Sequence, residues 1–306
     1  MNEPLVTVNI LSFNRKDDLR LTLQKVFEQD YQNIEVVVVD NASTDGTLEM
    51  VKNEFSSIQL IQLQKNIGIA GWNEGFKIAR GEFILVLDDD SYPDKNSIKE
   101  LVQTAQSDKH IGVVGSKIKN LLTGRIEIPG NEGDRWFSFI GCGALIRKDI
   151  FTSIGLFSET LFLYFHEIDF SFRLKDSGYK INLSQNSVIF HSNSPKNRSY
   201  LKNIFIDQRK IYYDIRNTIF LLLSYFSFDK IAFRLIRVIV GRIYFGIKNH
   251  LFLKIILGIA DGIKLFIFSK NKPSTLKLET QEYFKYGAIF GGFYFWNGNY
   301  GNKSNM

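Results

Sequence analysis

Five short apolar segments, rich in β-branched residues, alternate with amphipathic helical patterns along the first part of this chain. They cover residues 5–11, 34–40, 58–63, 83–88 and 111–118. Each is nearly continuously apolar, which is typical of strands in a sheet that is covered on both faces. The alternation therefore predicts an α/β fold in which helices flank a mostly parallel central sheet.

Polar segments follow three of these strands directly. They are SFNR at 12–15, DNASTDGT at 40–47 and DDDSYPD at 88–94. Parallel α/β sheets bind ligands beyond the carboxyl ends of their strands. We therefore expect the three segments to line one site, although they are far apart in sequence.

Three consecutive aspartates, Asp88, Asp89 and Asp90, end the fourth strand. Like charges repel one another, and the repulsion grows as they lose water, so the pattern favours a compensating divalent cation. Such a cation suits a diphosphate. Phe13 offers an aromatic face for a base, and Asp40 offers a carboxylate for a base or ribose proton. These residues predict a site for a nucleoside diphosphate and a metal.

Two common nucleotide-binding patterns are missing from the sequence. The first strand–helix turn, LSFNRKDD, contains no glycine, whereas a dinucleotide-binding fold needs G-x-G-x-x-G there. No segment matches the P-loop pattern G-x-x-x-x-G-K-[ST]. Both classes are therefore excluded.

Five motifs in order carry a resemblance to a known family. VTVNILSFNR, VVVVDNASTDGT, NIGIAGWNEGF, GEFILVLDDDSYPD and HEIDFSFRLKDSGY resemble the successive motifs of family 2 glycosyltransferases. The likeness extends from residue 5 to residue 191, and YYDIRN at 212–217 is similar to a segment of bacterial polysaccharide-building members. The resemblance implies the GT-A fold and transfer of a sugar, with inversion, from a nucleotide sugar to a hydroxyl.

The resemblance also implies ligand-binding residues. For the nucleotide sugar they are Phe13, Asp40, Asn66, Asn73, Asp88 and Asp89. For Mg²⁺ or Mn²⁺ they are Asp88, Asp90 and His191, which follows the strand-like SVIF. Simpler interpretations stay open: a solvated acidic turn, a helix cap at Asp40, a core Phe13, turn-capping asparagines and a surface histidine.

The catalytic base is assigned by the segment 166–169. Relatives commonly have Glu-Asp-x-Asp there, and this chain has His166, Glu167, Ile168 and Asp169. The resemblance places Glu167 at the position of the base and Asp169 beside it. Asp169 also lies four residues before Arg173, a spacing that favours a helical ion pair and makes Asp169 a poorer proton acceptor.

The last third of the chain is basic. From Lys202 to Lys272 it has thirteen Lys and Arg against four Asp and Glu, whereas the whole chain is only +6. Amphipathic helical patterns there are interrupted by charges in every window long enough for a membrane span. We expect a catalytic domain at 1–200 and a helical region at 201–306 that lies on an anionic membrane surface. A packed helical subdomain is the alternative.

Location and partners follow from the remaining features. The lone Cys142 permits no internal disulfide and is interpreted as a packed side chain, and the N-terminus lacks the features of a signal peptide. We expect a cytoplasmic protein, peripheral on the inner face of the membrane, with a saccharide or lipid-linked saccharide acceptor and no nucleic acid. A sugar nucleotidyltransferase and a non-catalytic binding scaffold are the alternatives. The former usually has an N-terminal glycine-rich loop, which this chain lacks.

Overall fold

The computed structural model describes residues 3–129, 131–132, 135–192, 208–269 and 273–285. The strands in these ranges are β1 (Val6–Ser12), β2 (Ile34–Asp40), β3 (Gln59–Gln62), β4 (Phe83–Asp88), β5 (Ser91–Pro93), β6 (Ile111–Asn120), β7 (Ile126–Glu127), β8 (Asn131–Glu132), β9 (Arg135–Trp136), β10 (Ala144–Arg147) and β11 (Lys180–His191). The α-helices are α1 (Lys16–Phe27), α2 (Thr47–Glu54), α3 (Gly71–Ile78), α4 (Ser97–Gln106), α5 (Phe151–Ile154), α6 (His166–Asp176), α7 (Gln208–Tyr225), α8 (Phe228–Lys248), α9 (Phe252–Phe268) and α10 (Leu278–Lys285).

The main sheet has the strand order β3-β2-β1-β4-β10-β6-β11-β5, with β7 paired to β6. The first four strands are parallel, and β1 pairs with β2 on one side and with β4 on the other. The strand order therefore reverses at β1, and such switch points are where α/β sheets bind ligands. The predicted α/β architecture with a mostly parallel sheet is confirmed.

Strand β10 is the main element that the sequence analysis missed. It lies antiparallel between β4 and β6, where Leu145 pairs with Leu85 on one side and with Val114 on the other. Its four residues follow a long irregular segment and are too few to show a periodic pattern. Only the gap between two longer strands defines this segment as a strand.

Two apolar clusters cover the sheet, one on each face. Along β4, Phe83, Leu85 and Leu87 face a cluster formed with α1, α2 and α4. The alternating residues Ile84 and Val86 face a second cluster formed with α3, α6, α7 and α10. This period of two explains why β4 reads as a continuous apolar run, since both of its faces are covered.

The C-terminal helices are only partly separate from the sheet domain. Phe220 and Tyr225 of α7 lie in the same apolar cluster as the sheet residues. Helix α9 packs closely on α7, because a Cβ added at Gly262 would lie 2.7 Å from the carbonyl oxygen of Arg216. The predicted domain boundary at residue 200 stays a prediction. Residues 193–207, which include this boundary, and residues 270–272 and 286–306 lie outside the described residues. Within the described ranges, no helix combines the length and apolarity needed to cross a bilayer.

Candidate active site

The carboxyl ends of β1, β2 and β4 meet at one rim of the sheet. In the strand register, Ser12 lies opposite Asp40 of β2, and Leu11 lies opposite Asp88 of β4. Two carboxylates from distant parts of the sequence are therefore brought to the two sides of β1. This is the rim at which the sequence analysis expected the ligand site.

Asp89 connects the end of β4 to the turn between β1 and α1. Its Oδ2 accepts hydrogen bonds from the Phe13 amide at 3.0 Å and the Ser12 hydroxyl at 3.2 Å. Its Oδ1 accepts one from Arg15 Nη1 at 3.0 Å. Burial raises the pKa of Asp89 to about 7, although the charge of Arg15 opposes that shift. These contacts connect the Asp89 carboxylate to the turn after β1 and stabilise this rim of the sheet. A contact between Asp89 and the sugar donor stays a prediction.

Arg15 supplies part of the charge that the three aspartates require. Its Nη1 lies 3.0 Å from Asp89 Oδ1 and 2.9 Å from Asp90 Oδ2, so one guanidinium bridges two carboxylates. Burial alone would lower the pKa of Arg15, but the neighbouring carboxylates raise it on balance. From the sequence alone, a bound divalent cation was the expected source of this positive charge. The available signal was a basic residue in the rim segment SFNR.

His191 is oriented by Asp90. The imidazole Nε2 lies 3.1 Å from Asp90 Oδ1, where an Nε2–H would donate to that carboxylate. The opposite nitrogen, Nδ1, lies 3.9 Å from Cys142 Sγ and would then be the acceptor. Metal-binding histidines are commonly held by a carboxylate in this manner. The ligand role predicted for Asp90 itself stays a prediction.

Asp88, Cys142 and His191 form a group that fits a metal ion. One potential ligand atom from each lies within 4.8 Å of the others. Burial raises the pKa of the Cys142 thiol well above its usual value, so it stays protonated and is a weak ligand. Burial, and then the charge of Asp90, raises the pKa of Asp88, so a cation would be favourable there. A carboxylate and an imidazole suit Mn²⁺ or Mg²⁺ at this position.

Phe13 and Asp40 lie at the rim in different environments. The Phe13 side chain is 42% exposed, so the alternative of a core phenylalanine is wrong. Asp40 is fully buried, and its carboxylate accepts the Ser43 amide at 3.2 Å and 3.3 Å. An exposed ring is available for stacking, whereas Asp40 already supports the turn after β2. Base contacts by both residues stay predictions.

The two predicted asparagines are engaged with the protein itself. Asn66 Oδ1 accepts hydrogen bonds from Asn41 Nδ2 at 3.0 Å and from the Gly68 amide at 2.8 Å. Asn73 is buried, and its amide exchanges two hydrogen bonds with the backbone of Phe157. Both arrangements match the structural alternative that the sequence left open. Their donor contacts stay predictions.

Glu167 lies in the first turn of α6 and remains accessible. Its side chain is 23% exposed, and Oε1 accepts the Gly141 amide at 3.3 Å while Oε2 lies 3.2 Å from His166 Nδ1. The backbone at Gly141 approaches both side chains closely, because an added Cβ would lie 2.8 Å from His166 Nε2 and 3.0 Å from Glu167 Oε1. A carboxylate that is accessible and fixed on one side can accept a proton on the other.

Asp169 is in the opposite situation. It is 1% exposed, and Oδ2 accepts Arg173 Nη2 at 2.6 Å, which confirms the predicted ion pair at four-residue spacing. Its Oδ1 accepts the Tyr225 hydroxyl at 2.7 Å. Burial, and then the charge of Asp169, raises the pKa of Tyr225, so the phenol stays a donor. Both oxygens of Asp169 are thus occupied, and the contact with Tyr225 is one that the sequence did not indicate.

Helix α7 supports the turn that leads into α6. Tyr164 and Phe165 both have positive φ, at 63° and 69°, a backbone conformation that residues other than glycine rarely adopt. Asn217 is fully buried, and its Nδ2 donates to the carbonyl oxygens of Leu163 at 2.7 Å and Tyr164 at 3.1 Å. The YYDIRN segment therefore holds the unusual backbone immediately before the predicted base. From the sequence, this segment showed only a resemblance to family members, and the location of its side chains could not be predicted.

Comparison with known proteins agrees with this geometry. The profile named Glycosyl transferase family 2 matches residues 7–169, more than half of the chain. A Methanococcus voltae relative, a dolichyl N-acetyl-alpha-D-glucosaminyl phosphate 3-beta-D-2,3-diacetamido-2,3-dideoxy-beta-D-glucuronosyltransferase, is 24% identical over 87% of this chain and 89% of its own. The Escherichia coli UDP-Glc:alpha-D-GlcNAc-diphosphoundecaprenol beta-1,3-glucosyltransferase WfaP is 32% identical over 34% of this chain and 43% of its own length.

Solved structures show the same fold. The Pyrobaculum calidifontis mannosyltransferase PcManGT, in complex with GDP-Man and Mn²⁺, has a TM-score of 0.57 at 16% identity, over 88% of this chain and 89% of that one. S. aureus TarS has a TM-score of 0.56 at 20% identity, over 78% of this chain but only 43% of its own length. The rim geometry, the GT-A fold and the profile match agree, and this chain belongs to glycosyl transferase family 2.

Proposed function

We propose that this chain is an inverting, metal-dependent glycosyltransferase that moves a sugar from a nucleoside-diphosphate sugar to a saccharide hydroxyl. The observation that carries the proposal is the pair of consecutive residues Gly141 and Cys142. The Gly141 amide donates to Glu167, and Cys142 Sγ lies 3.9 Å from His191 Nδ1. The predicted base and the metal-binding group therefore contact two adjacent residues, which supports one site where both act on the same substrate.

The residues support the following mechanism. Glu167 accepts the proton of the acceptor hydroxyl, and the oxygen attacks the anomeric carbon from the face opposite the diphosphate. The carbon–oxygen bond to the diphosphate breaks in the same step, so the configuration inverts and no covalent enzyme intermediate forms. Asp88 and His191 would hold Mg²⁺ or Mn²⁺, which offsets the negative charge that develops on the leaving diphosphate.

The names of the relatives support the substrate classes. The Methanococcus voltae and Escherichia coli relatives are named for acceptors on dolichyl phosphate and diphosphoundecaprenol. Solved neighbours hold GDP-Man with Mn²⁺ or UDP-GlcNAc. We therefore infer a nucleotide-sugar donor and a saccharide acceptor on a polyisoprenyl carrier, used at the inner face of the cell membrane.

A panel assay tests the proposal. Nucleotide sugars are first screened with Mn²⁺ for thermal stabilisation of the protein, and the best donor is then incubated with lipid-linked saccharides. Release of the nucleoside diphosphate is expected only with donor, acceptor and metal together. Glu167→Gln should abolish it, whereas Glu49→Gln, at an exposed position of α2, should not. Pyrophosphate release from a sugar phosphate and a nucleoside triphosphate would support a nucleotidyltransferase instead. Donor binding without any turnover would support a scaffold.

A further inference from the structure

The outer face of α8 is a continuous apolar stripe. Phe233, Ile236, Val240, Tyr244 and Ile247 are each between 60% and 80% exposed. They are spaced by three and four residues, so they lie in one row along the helix. A row of large apolar side chains with this exposure is far more than the scattered apolar residues of an ordinary surface.

Helix α9 continues the apolar surface. Its exposed apolar residues are Phe252, Leu253, Ile256, Leu257, Ile263, Ile267 and Phe268. The opposite side of α9 is packed, since Gly258 and Gly262 contact α7 and Ile255 is fully buried against α8 and α7. Each helix thus buries one side in the protein and leaves the other apolar side outward within the described residues.

Cations border this surface. Arg237 and Lys248 are exposed on α8, and their spacing of eleven residues places them in one row beside the stripe. Lys254 and Lys264 are exposed on α9. Arg242 of α8 is buried against Asp214 and Lys230 pairs with Glu282, so the charge of this surface comes from the four exposed cations named above, against Asp229 as the exposed acid of the two helices. The surface therefore combines apolar area with net positive charge.

We propose that the outer faces of α8 and α9, here called the α8–α9 surface, bind an anionic lipid bilayer peripherally. An apolar face edged by Lys and Arg matches the boundary between acyl chains and anionic headgroups. A second copy of the chain is a poorer occupant, because a symmetric contact would bring the same rows of cations together. The proposal stands independently of the transferase activity.

The surface is linked to the active site through α7. Helix α9 packs on α7 by Gly258 and Gly262, and Asn217 of α7 holds the backbone before Glu167. Lipid binding would therefore place the site close to substrates that are themselves anchored in the bilayer.

Vesicle sedimentation tests the proposal with the full chain. Vesicles of phosphatidylcholine alone are compared with vesicles that also contain phosphatidylglycerol, at about 0.1 M and about 1 M NaCl. We expect at least ~10-fold stronger binding to the anionic vesicles, and weakening by high salt. Phe233→Asp and Leu253→Asp should each reduce binding by about tenfold, since each places a charge in the apolar contact. The matched control Leu278→Asp, at a residue of α10 that is 67% exposed, should bind as the wild type does.

Two further measurements keep the result interpretable. Circular dichroism and thermal unfolding establish that each variant is folded, which its exposed position leads us to expect. The double variant Arg237→Gln/Lys248→Gln should lose about tenfold in affinity for anionic vesicles only. Absence of binding to anionic vesicles, or equal losses in Leu278→Asp, would overturn the proposal. A dimer in sedimentation equilibrium that Phe233→Asp dissociates, without vesicle binding, would identify a second copy as the occupant.

Discussion

Neutralising the two acidic residues of α6 should affect different properties of the protein. Glu167→Gln keeps an oxygen that can accept the Gly141 amide, so the fold should be nearly unaffected, but it removes the proton acceptor. Asp169→Asn removes the counter-charge of Arg173 inside the protein, where Asp169 is 1% exposed. One variant should therefore lose turnover and keep stability, and the other should lose stability.

The magnitudes follow from these contacts. Loss of a general base costs at least ~10²-fold in turnover, or about 2.7 kcal/mol in the activation barrier. The Arg173 side chain is 19% exposed, so leaving it without its buried partner costs up to about 3–5 kcal/mol in the free energy of unfolding. A loss of about 3 kcal/mol corresponds to a fall in Tm of roughly 6–12 °C for a domain of this size class.

Turnover at saturating donor, calorimetric donor affinity and urea unfolding are measured for both variants. Tyr225→Phe is the matched control, because it removes one hydrogen bond to the Asp169 carboxylate without removing a charge, and it should cost about 1.5–3 kcal/mol in stability. Donor affinity should persist in Glu167→Gln. Near-normal turnover in Glu167→Gln, together with a folded but inactive Asp169→Asn, would reverse the assignment of the base.

Three other changes test the remaining parts of the structure. Asp90→Ala should abolish metal-dependent donor binding with the fold retained, as calorimetry with and without Mn²⁺ would show; unchanged metal dependence would reject the predicted role of Asp90 in the metal site. Asn217→Leu removes the two hydrogen bonds from a buried amide to the carbonyls before α6, so we expect about 1–3 kcal/mol lower stability and reduced turnover at unchanged donor affinity; a shift in donor affinity alone would contradict this role. Burial raises the pKa of Asp214 to about 6, against the opposing charge of Arg242. The folded state therefore binds a proton more tightly than the unfolded chain, whose aspartate pKa is about 3.9. Wild-type stability relative to Asp214→Asn should rise as pH falls from about 6 to about 4 in urea unfolding, and a constant difference would contradict the raised pKa of Asp214.

Local sequence patterns were sufficient for the parallel half of the sheet. The apolar runs that became β1, β2, β3 and β4 are each bounded by polar turns, and the periodicity within each run is a property of neighbouring residues. The same holds for the ion pair between Asp169 and Arg173, because four residues on a helix always bring two side chains to one face.

Other features depend on residues that meet only after folding. Strand β10 is defined by its partners Leu85 and Val114, which no local pattern of four residues specifies. Tyr225 and Asn217 reach the α6 region from α7, so their roles depend on how α7 packs in the core. Helix packing is decided by the fit of whole apolar faces, which is a long-range property of the chain.

The sequence by itself determined that three aspartates would follow a buried strand at one rim of the sheet, because strand period and charge are local properties. Only the tertiary structure decided how those charges are partnered. Arg15 bridges Asp89 and Asp90, and His191 is turned by Asp90 toward Cys142. These contacts require β1, β4 and β11 to hold their particular places in the sheet, and ion pairs form only between groups that the folded backbone brings within a few ångströms.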